Sequence, residues 1–195
     1  MNLLRLLGVL TTLALAGCGN GTPSTGEAQS APLTVAATAV PHAEILEVVK
    51  PILAKEGVAL DIKVFNDYVQ PNDQVVQGHI DVNYFQTEPY LAAYNKDRGT
   101  DLQTIVGVHI EPFGAYSRRF KSLDALPNGA DVVIPNDPSN NSRALILLDK
   151  FGVIKLKDPG NPLSTLRDIV SNPKQLKFRE LDSAMLPRVL DQVDL

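Results

Sequence analysis

Hydrophobic residues in the first half of the chain alternate between two periods, one typical of buried strands and the other of amphipathic helices. The apolar run at 33–38 predicts a short buried strand. From Pro41 onward, apolar residues recur every three or four positions, which predicts a helix that ends at Gly57. Pro51 lies inside this helix and should kink it, because proline lacks the N–H that would bond to Glu47 in the preceding turn, unless the first turns of the helix are irregular.

The same alternation continues toward the middle of the chain. The patterns predict strands at 58–65, 80–84 and 104–108, and helices at 71–78 and 87–96. Thr87 is the expected N-cap of the last of these helices, because a threonine side chain can accept a hydrogen bond from the first turn, where Pro89 is also favoured. Strands and helices joined by short links are typical of a mostly parallel sheet covered by helices.

A second α/β region is predicted after the break at Glu111 and Pro112. We place a domain boundary there, with the first domain over 33–110 and the second over 111–195. The patterns after the break predict strands at 113–117, 131–134 and 176–181, a short helix after Ser122, and helices at 138–151, 165–170 and 183–190. Residues 191–195 have the character of an approach to a further strand.

The N-terminus has the features of a secretory signal. A single arginine precedes an apolar stretch over 6–16, which is too short to span a bilayer comfortably. The stretch ends in small residues followed by Cys18, the one cysteine of the sequence, and this arrangement resembles the bacterial lipobox. We therefore predict a signal peptide over 1–17, lipidation at Cys18 and a disordered tether over 18–32. The alternative is an incidental cysteine behind an ordinary signal peptide.

Composition and motifs narrow the function classes. The net charge of −4 does not favour a nucleic-acid partner. The three histidines, His42, His79 and His109, are too scattered along the sequence to match a metal-binding motif, so we predict no metal site and no cofactor. No nucleophile is paired with a base in a recognisable motif, which predicts no catalytic residues and a protein that is not an enzyme.

Aromatic residues follow two of the predicted strands, at the end where an open α/β sheet binds its ligands. Tyr68 comes shortly after the strand at 58–65, Phe85 directly after the strand at 80–84, and Tyr90 about one helical turn later. Together they are candidates for an apolar slot. The alternative is that all three pack in the core.

Asn140 and Arg143 are candidates for holding an anion. They are three residues apart near the start of the helix at 138–151, so they share a face beside free backbone N–H groups and the positive end of the helix dipole. A guanidinium, an amide and helix N–H groups suit a carboxylate. The alternative is a solvated surface arginine beside a turn asparagine.

Four segments closely resemble the NlpA-type methionine-binding lipoproteins of ABC importers. They are the segments at 41–46 (PHAEIL), 67–72 (DYVQPN), 81–86 (DVNYFQ) and 135–145 (PNDPSNNSRAL), and the similarity continues in order over 33–195. The resemblance implies a periplasmic-binding-protein-like α/β fold of two lobes, with a ligand cleft between them that closes on L-methionine or a related amino acid. An ABC permease and its ATPase are the implied partners.

The resemblance also implies residue roles. The implied ligand-binding residues are Tyr68, Phe85, Tyr90, Asn140 and Arg143, with Thr87 and His109 as further candidates. The three aromatic side chains would enclose the thioether, and Asn140 and Arg143 would bind the carboxylate. Many relatives have a histidine where this chain has Thr87, and His109 lies at the implied crossover between the lobes.

Relatives of this type continue beyond the position of Leu195 with strands that finish both lobes, so the resemblance implies a C-terminally truncated chain with an incomplete second lobe. The leading hypothesis is a lipid-anchored solute-binding protein in the cell envelope, facing the periplasm or the cell exterior, that delivers an amino acid to a permease. The alternative is a truncated envelope lipoprotein that acts as an interaction module without transport activity. An envelope enzyme acting on carboxylates is a third hypothesis, for which no nucleophile, base or metal set is visible.

Overall fold

The first sheet has three parallel strands, with the most deeply buried strand at its centre. The computed structural model describes residues 31–195, so the predicted signal peptide, Cys18 and nearly all of the tether lie outside the described residues. Strands β1 (Leu33–Thr38), β2 (Leu60–Phe65) and β3 (Val82–Tyr84) pair in the order β2-β1-β3. Ala37 of β1 lies opposite Val64 on one side and Tyr84 on the other. The parallel arrangement predicted from the alternating pattern is confirmed.

Helices connect the strands of this sheet, as parallel pairing requires. They are α1 (Glu44–Lys55), between β1 and β2, and α2 (Gln70–Val76), between β2 and β3; α3 (Glu88–Arg98) follows β3 and leads out of the sheet. Helix α1 continues past Pro51, and the irregular turn lies ahead of it at Ala39–Ala43, where Val40 has extended backbone angles. Gly57 has a φ of +82°, which ends the helical segment at the predicted position because glycine adopts this angle without strain.

A second, smaller sheet carries the main hydrophobic core. Strand β4 (Asp131–Pro135) pairs in parallel with β7 (Lys177–Leu181), and α4 (Pro138–Lys150) packs against them. Val132, Leu145 and Leu148 are almost fully buried in this core. The predicted elements at 131–134, 138–151 and 176–181 are therefore confirmed.

The chain end lies along the other edge of β4. The N–H of Val133 donates to the carbonyl of Leu195 at 3.0 Å, and the N–H of Leu195 donates to the carbonyl of Asp131 at 3.2 Å. Val193 is buried beside them. Backbone pairing at 193–195 agrees with the strand-like character of this segment in the sequence.

Some predicted elements are wrong. No helix or strand forms at 104–108 or 113–117, and Ile105 and Ile110 are 80% and 93% exposed. Strands are stable when a neighbour bonds their backbone, and within the described residues no strand pairs with these two segments. An apolar sequence alone therefore does not predict a strand at these two segments.

The predicted helix at 165–170 is also wrong. The Thr165–Asp168 capping box forms, but the helical turn stops at Leu166–Asp168 and continues as β6 (Ile169–Ser171), which is antiparallel to β5 (Lys155–Leu156). Isoleucine and valine at 169 and 170 favour an extended chain. The predicted helix at 183–190 is a helical turn at Ser183–Met185 followed by α5 (Leu186–Val189).

Both sheets lie in one compact unit, Ala31–Leu195. The division into two lobes at residue 111 stays a proposal. Among residues 31–195, none of the helices combines the length and the apolar character needed to cross a bilayer.

The buried face of α4 provides a stability test. We expect Leu145→Ala to lower the free energy of unfolding by about 2–5 kcal/mol, because Leu145 is fully buried and truncation leaves a cavity in the core. Leu163→Ala is the matched control, since Leu163 is 55% exposed and the change should cost less than about 1 kcal/mol. Urea unfolding followed by circular dichroism measures both. Equal losses in the two variants would contradict this core assignment.

Candidate functional site

Tyr68, Phe85 and Tyr90 form one aromatic cluster. Their ring centroids are 5.9 Å apart for Tyr68 and Phe85, 6.2 Å for Tyr68 and Tyr90, and 5.8 Å for Phe85 and Tyr90. The rings meet edge to face or tilted, which are favourable geometries for aromatic pairs. Phe85 is buried, whereas both tyrosines are partly exposed. The structure therefore brings together the three aromatic candidates.

Two backbone features place these rings. Tyr68 follows β2 and Phe85 follows β3, so both lie at the carboxyl edge of the parallel sheet. The Tyr90 hydroxyl donates to the backbone carbonyl of Tyr68 at 2.8 Å, which joins the start of α3 to the segment after β2. Burial, with the nearby carboxylates of Asp137 and Asp182, raises the pKa of Tyr90 well above its usual value. This hydroxyl therefore stays protonated and able to donate.

A network of amide side chains lies next to the aromatic cluster. The side chain of Asn72, which is fully buried, donates to Gln86 Oε1 at 3.0 Å and accepts from Gln86 Nε2 at 2.7 Å and from Asn83 Nδ2 at 2.8 Å. Gln86 directly follows Phe85 in the chain. The network was missed in the sequence, where nothing distinguishes these amides from surface residues.

Asn140 and Arg143 are oriented by several contacts at the start of α4. Arg143 Nη1 donates to Asn140 Oδ1 at 2.9 Å, and Arg143 Nη2 donates to the backbone carbonyl of Glu111 at 3.4 Å. The guanidinium lies over the ring of Phe113, with Cζ 4.7 Å from the centroid. Within residues 31–195, no carboxylate lies within 4.0 Å of this guanidinium. The cation is held in place by neutral acceptors and an aromatic face.

Asp137, at the start of α4, interacts with both α4 and the tyrosines of the aromatic cluster. Its side chain caps α4 by accepting from the N–H of Asn140 at 2.8 Å, and it also accepts from Ser183 Oγ at 2.7 Å. Asp137 raises the pKa of Tyr90, and burial, Glu111 and Asp137 together raise the pKa of Tyr68. Helices α3 and α4 are in contact. Helix α3, which carries Tyr90, therefore lies next to α4, which carries Asn140 and Arg143.

Thr87 and His109 have structural partners of their own. Thr87 Oγ1 accepts from the N–H of Tyr90 at 3.4 Å, as expected of an N-cap. His109 Nδ1 lies 2.6 Å from the Tyr84 hydroxyl, and His109 Nε2 lies 3.1 Å from Glu111 Oε1. Thr87 is next to the aromatic cluster through Tyr90, whereas His109 belongs to a neighbouring group.

That neighbouring group includes a second histidine. The ring centroids of His42 and His109 are 5.3 Å apart, although the two residues are distant in sequence. The histidines are scattered along the sequence, and the fold brings two of them together. Burial lowers the pKa of His42, and Glu111, which raises it, only partly opposes that effect. His79 lies elsewhere, with its ring nitrogen 3.3 Å from Gln74 Oε1.

An apolar cavity of about 420 Å³ lies next to Phe113, the residue whose ring the Arg143 guanidinium covers and which also lines the cavity. Residues 112–116, β4 and α5 contribute to its lining, and none of the predicted ligand-binding residues does. We place the candidate site at the aromatic cluster and the Arg143 guanidinium, because Asn140 and Arg143 supply polar groups that can fix a ligand's orientation on a helix that contacts α3.

Similar proteins define the class. A nutrient binding protein from Burkholderia cenocepacia, in a structure bound to methionine, is 46% identical with a TM-score of 0.80, covering 83% of this chain and 69% of that one. A periplasmic substrate-binding protein of an ABC transporter from Coxiella burnetii is 40% identical with a TM-score of 0.78, covering 83% and 68%. The fold is that of periplasmic substrate-binding proteins, a class of binding proteins and not of enzymes.

The family is narrower than the class. The family model described as NlpA lipoprotein matches residues 33–195. A probable D-methionine-binding lipoprotein MetQ from Pasteurella multocida is 41% identical over an alignment of 203 positions that covers 100% of this chain and 73% of that protein. The chain belongs to the NlpA lipoprotein family, and the resemblance found in the sequence is confirmed.

The amide network makes a testable contribution to the site's stability. We expect Asn72→Leu to lower the free energy of unfolding by about 2–4 kcal/mol, because the half-buried amides of Gln86 and Asn83 would lose their hydrogen bonds to Asn72. Asn66→Leu, at an exposed position after β2, is the control and should change stability by less than about 1 kcal/mol. Urea unfolding compares the two. An Asn72 variant as stable as the control would contradict the role given to the network.

Proposed function

We propose that this chain is a lipid-anchored solute-binding protein that captures L-methionine or a closely related amino acid and delivers it to the permease and ATPase of an ABC importer. The observation that carries the proposal is the oriented guanidinium of Arg143, which has no carboxylate partner among the described residues and lies on α4, a helix in contact with the helix α3 that carries Tyr90 of the aromatic cluster. It supports a ligand with a carboxylate at one end and an apolar group at the other.

The carboxylate end of the ligand fits the start of α4. An arginine guanidinium gives paired N–H donors in a geometry that matches a carboxylate, and the helix N-terminus adds favourable electrostatic potential. Asn140 holds the guanidinium and lies in the first turn of that helix. We assign carboxylate binding to these two residues.

The side-chain end of the ligand fits the aromatic cluster. Thioether sulfur makes favourable contacts with aromatic rings, at about 0.3–1.5 kcal/mol each, and an unbranched side chain adapts to the space between them. Tyr68, Phe85 and Tyr90 supply three such rings. Relatives whose names specify methionine support this assignment, and Thr87 and His109 are assigned to the periphery of the pocket.

The membrane anchor in this proposal is Cys18. Acylation of its thiol would hold the folded part of the chain near the membrane surface of the cell envelope through the polar segment that follows it. Such a tether keeps the binding site close to the permease and does not fix its orientation. Binding and release need no covalent chemistry, so we propose no catalytic activity.

Arg143 provides the direct test of ligand binding. We expect L-methionine at about 100 times its Kd to raise the Tm of the full chain by at least about 5 °C, and Arg143→Ala to abolish the shift at the same concentration. Calorimetric titration with L-methionine, D-methionine and the decarboxylated amine of methionine extends the test, since the amine lacks the group that Arg143 would bind.

Arg167→Ala is the matched control, because Arg167 is exposed and distant in sequence from the candidate residues. It should retain full binding. If neither methionine nor any other amino acid binds the wild-type chain, the proposed function is wrong; if Arg143→Ala binds as wild type, the residue assignment is wrong.

The aromatic cluster is tested through selectivity. We expect Tyr68→Ala to weaken methionine binding at least about tenfold and to change the binding of alanine, which has no thioether, much less. Tyr116→Ala removes an aromatic ring that is 68% exposed and should leave both affinities unchanged. Calorimetry measures the Kd of each variant for the two amino acids. Equal losses of affinity for methionine and alanine would contradict a binding slot for the ligand side chain at Tyr68.

A further inference from the structure

His42, His109 and Glu111 converge on one point beside the candidate site. His42 lies in the irregular turn before α1, and the other two lie in the extended segment that follows α3. His42 Nε2 is 3.6 Å from Glu111 Oε1, and His109 Nε2 is 3.1 Å from the same oxygen. One ligand-type atom from each residue lies within 4.8 Å of the others.

We propose that these three side chains form a binding site for a divalent transition metal, with Zn²⁺ as the expected ion. Two imidazole nitrogens and one carboxylate oxygen are a familiar donor set for zinc, and a fourth position is left for water or another ligand. Mg²⁺ and Ca²⁺ prefer sites built from oxygen atoms, so the two imidazoles select against them.

The partners of the two rings support this assignment. His42 Nδ1 is 2.7 Å from Thr38 Oγ1, and His109 Nδ1 is 2.6 Å from the Tyr84 hydroxyl. Each hydroxyl oxygen can accept a hydrogen bond from Nδ1–H, and this arrangement leaves Nε2 with a free lone pair. Histidine ligands are commonly oriented in this way, through a hydrogen bond on the nitrogen that does not bind the metal. Both Nε2 atoms face Glu111.

Two of the three separations between ligand atoms already suit a bound ion, and the third lies within 4.8 Å. Ligand atoms at about 2.0–2.1 Å from a tetrahedral zinc are roughly 3.3 Å apart. Two of the measured separations are already near that value. His42 is buried and fixed by β1 and the following turn, whereas His109 and Glu111 lie in an exposed segment outside any helix or strand. That segment can move toward His42 without breaking a sheet.

Metal binding is measured on the full chain without a polyhistidine tag. Because the free thiol of Cys18 would itself bind zinc, every variant carries Cys18→Ser. The protein is dialysed against a chelator, and the chelator is then removed. Calorimetric titration with ZnCl₂ should show that one equivalent binds. Co²⁺ should give the visible absorption of a tetrahedral site with nitrogen and oxygen ligands. Mg²⁺ in excess should not displace the ion.

Variants at the exposed ligands locate the site. His109→Ala and Glu111→Gln should each weaken Zn²⁺ binding by more than about 100-fold. This loss is larger than the one expected for a residue that only orients a metal ligand. His79→Ala is the control, because His79 is exposed and outside the cluster, and it should bind zinc as well as the parent chain. Circular dichroism verifies that each variant is folded.

Three results would overturn the proposal: no zinc binding by the parent chain, zinc binding that survives both His109→Ala and Glu111→Gln, or displacement by equimolar Mg²⁺. The readouts do not depend on methionine. A failure of the metal site therefore leaves the proposed amino-acid binding untouched, and the reverse also holds.

Discussion

Parallel pairing of β1 with β2 and β3 determines where the functional side chains of the first sheet lie. Because the three strands run in the same direction, their carboxyl ends meet at one edge. The residues that follow them, Tyr68 after β2 and Phe85 after β3, are thereby brought into contact although they are separated in the chain. The turn after β1 places His42 at that same edge. One pattern of backbone hydrogen bonds therefore organises both the aromatic cluster and the histidine group.

The second sheet contributes through the start of a helix. Strand β4 leads directly into α4, whose N-cap, Asp137, fixes the orientation of Asn140. Asn140 in turn holds Arg143, and the carbonyl of Glu111 contacts the other guanidinium nitrogen. The cation is thus fixed both by its own helix and by the segment that links the two sheets. Side chains aimed by this many contacts lose little conformational entropy when a ligand binds.

The sequence was most informative where local signals and burial agree. Strand β1 has its predicted bounds, since a short apolar run before a proline is buried on both faces, and α4 is marked by its cap and its apolar face. The segment at 104–108 has an equally apolar sequence and no strand structure, because strand formation depends on a partner elsewhere in the fold. Some side chains meet only in the folded chain, such as Asn72 with Gln86 or His42 with His109. The spacing of these residues along the sequence does not predict their contact.

The contacts of Arg143 also bear on how a ligand would leave. Its guanidinium already donates to two neutral oxygen atoms, so in the role proposed for it an arriving carboxylate would exchange partners with the protein and would not fill an empty set of donors. The net gain in binding free energy is the difference between hydrogen bonds to a charged acceptor and the hydrogen bonds to the neutral acceptors that it displaces. When the carboxylate departs, the same two oxygens can take back the N–H groups, which lowers the cost of emptying the site. A carrier that must surrender its cargo at a membrane depends on such reversibility as much as on tight capture.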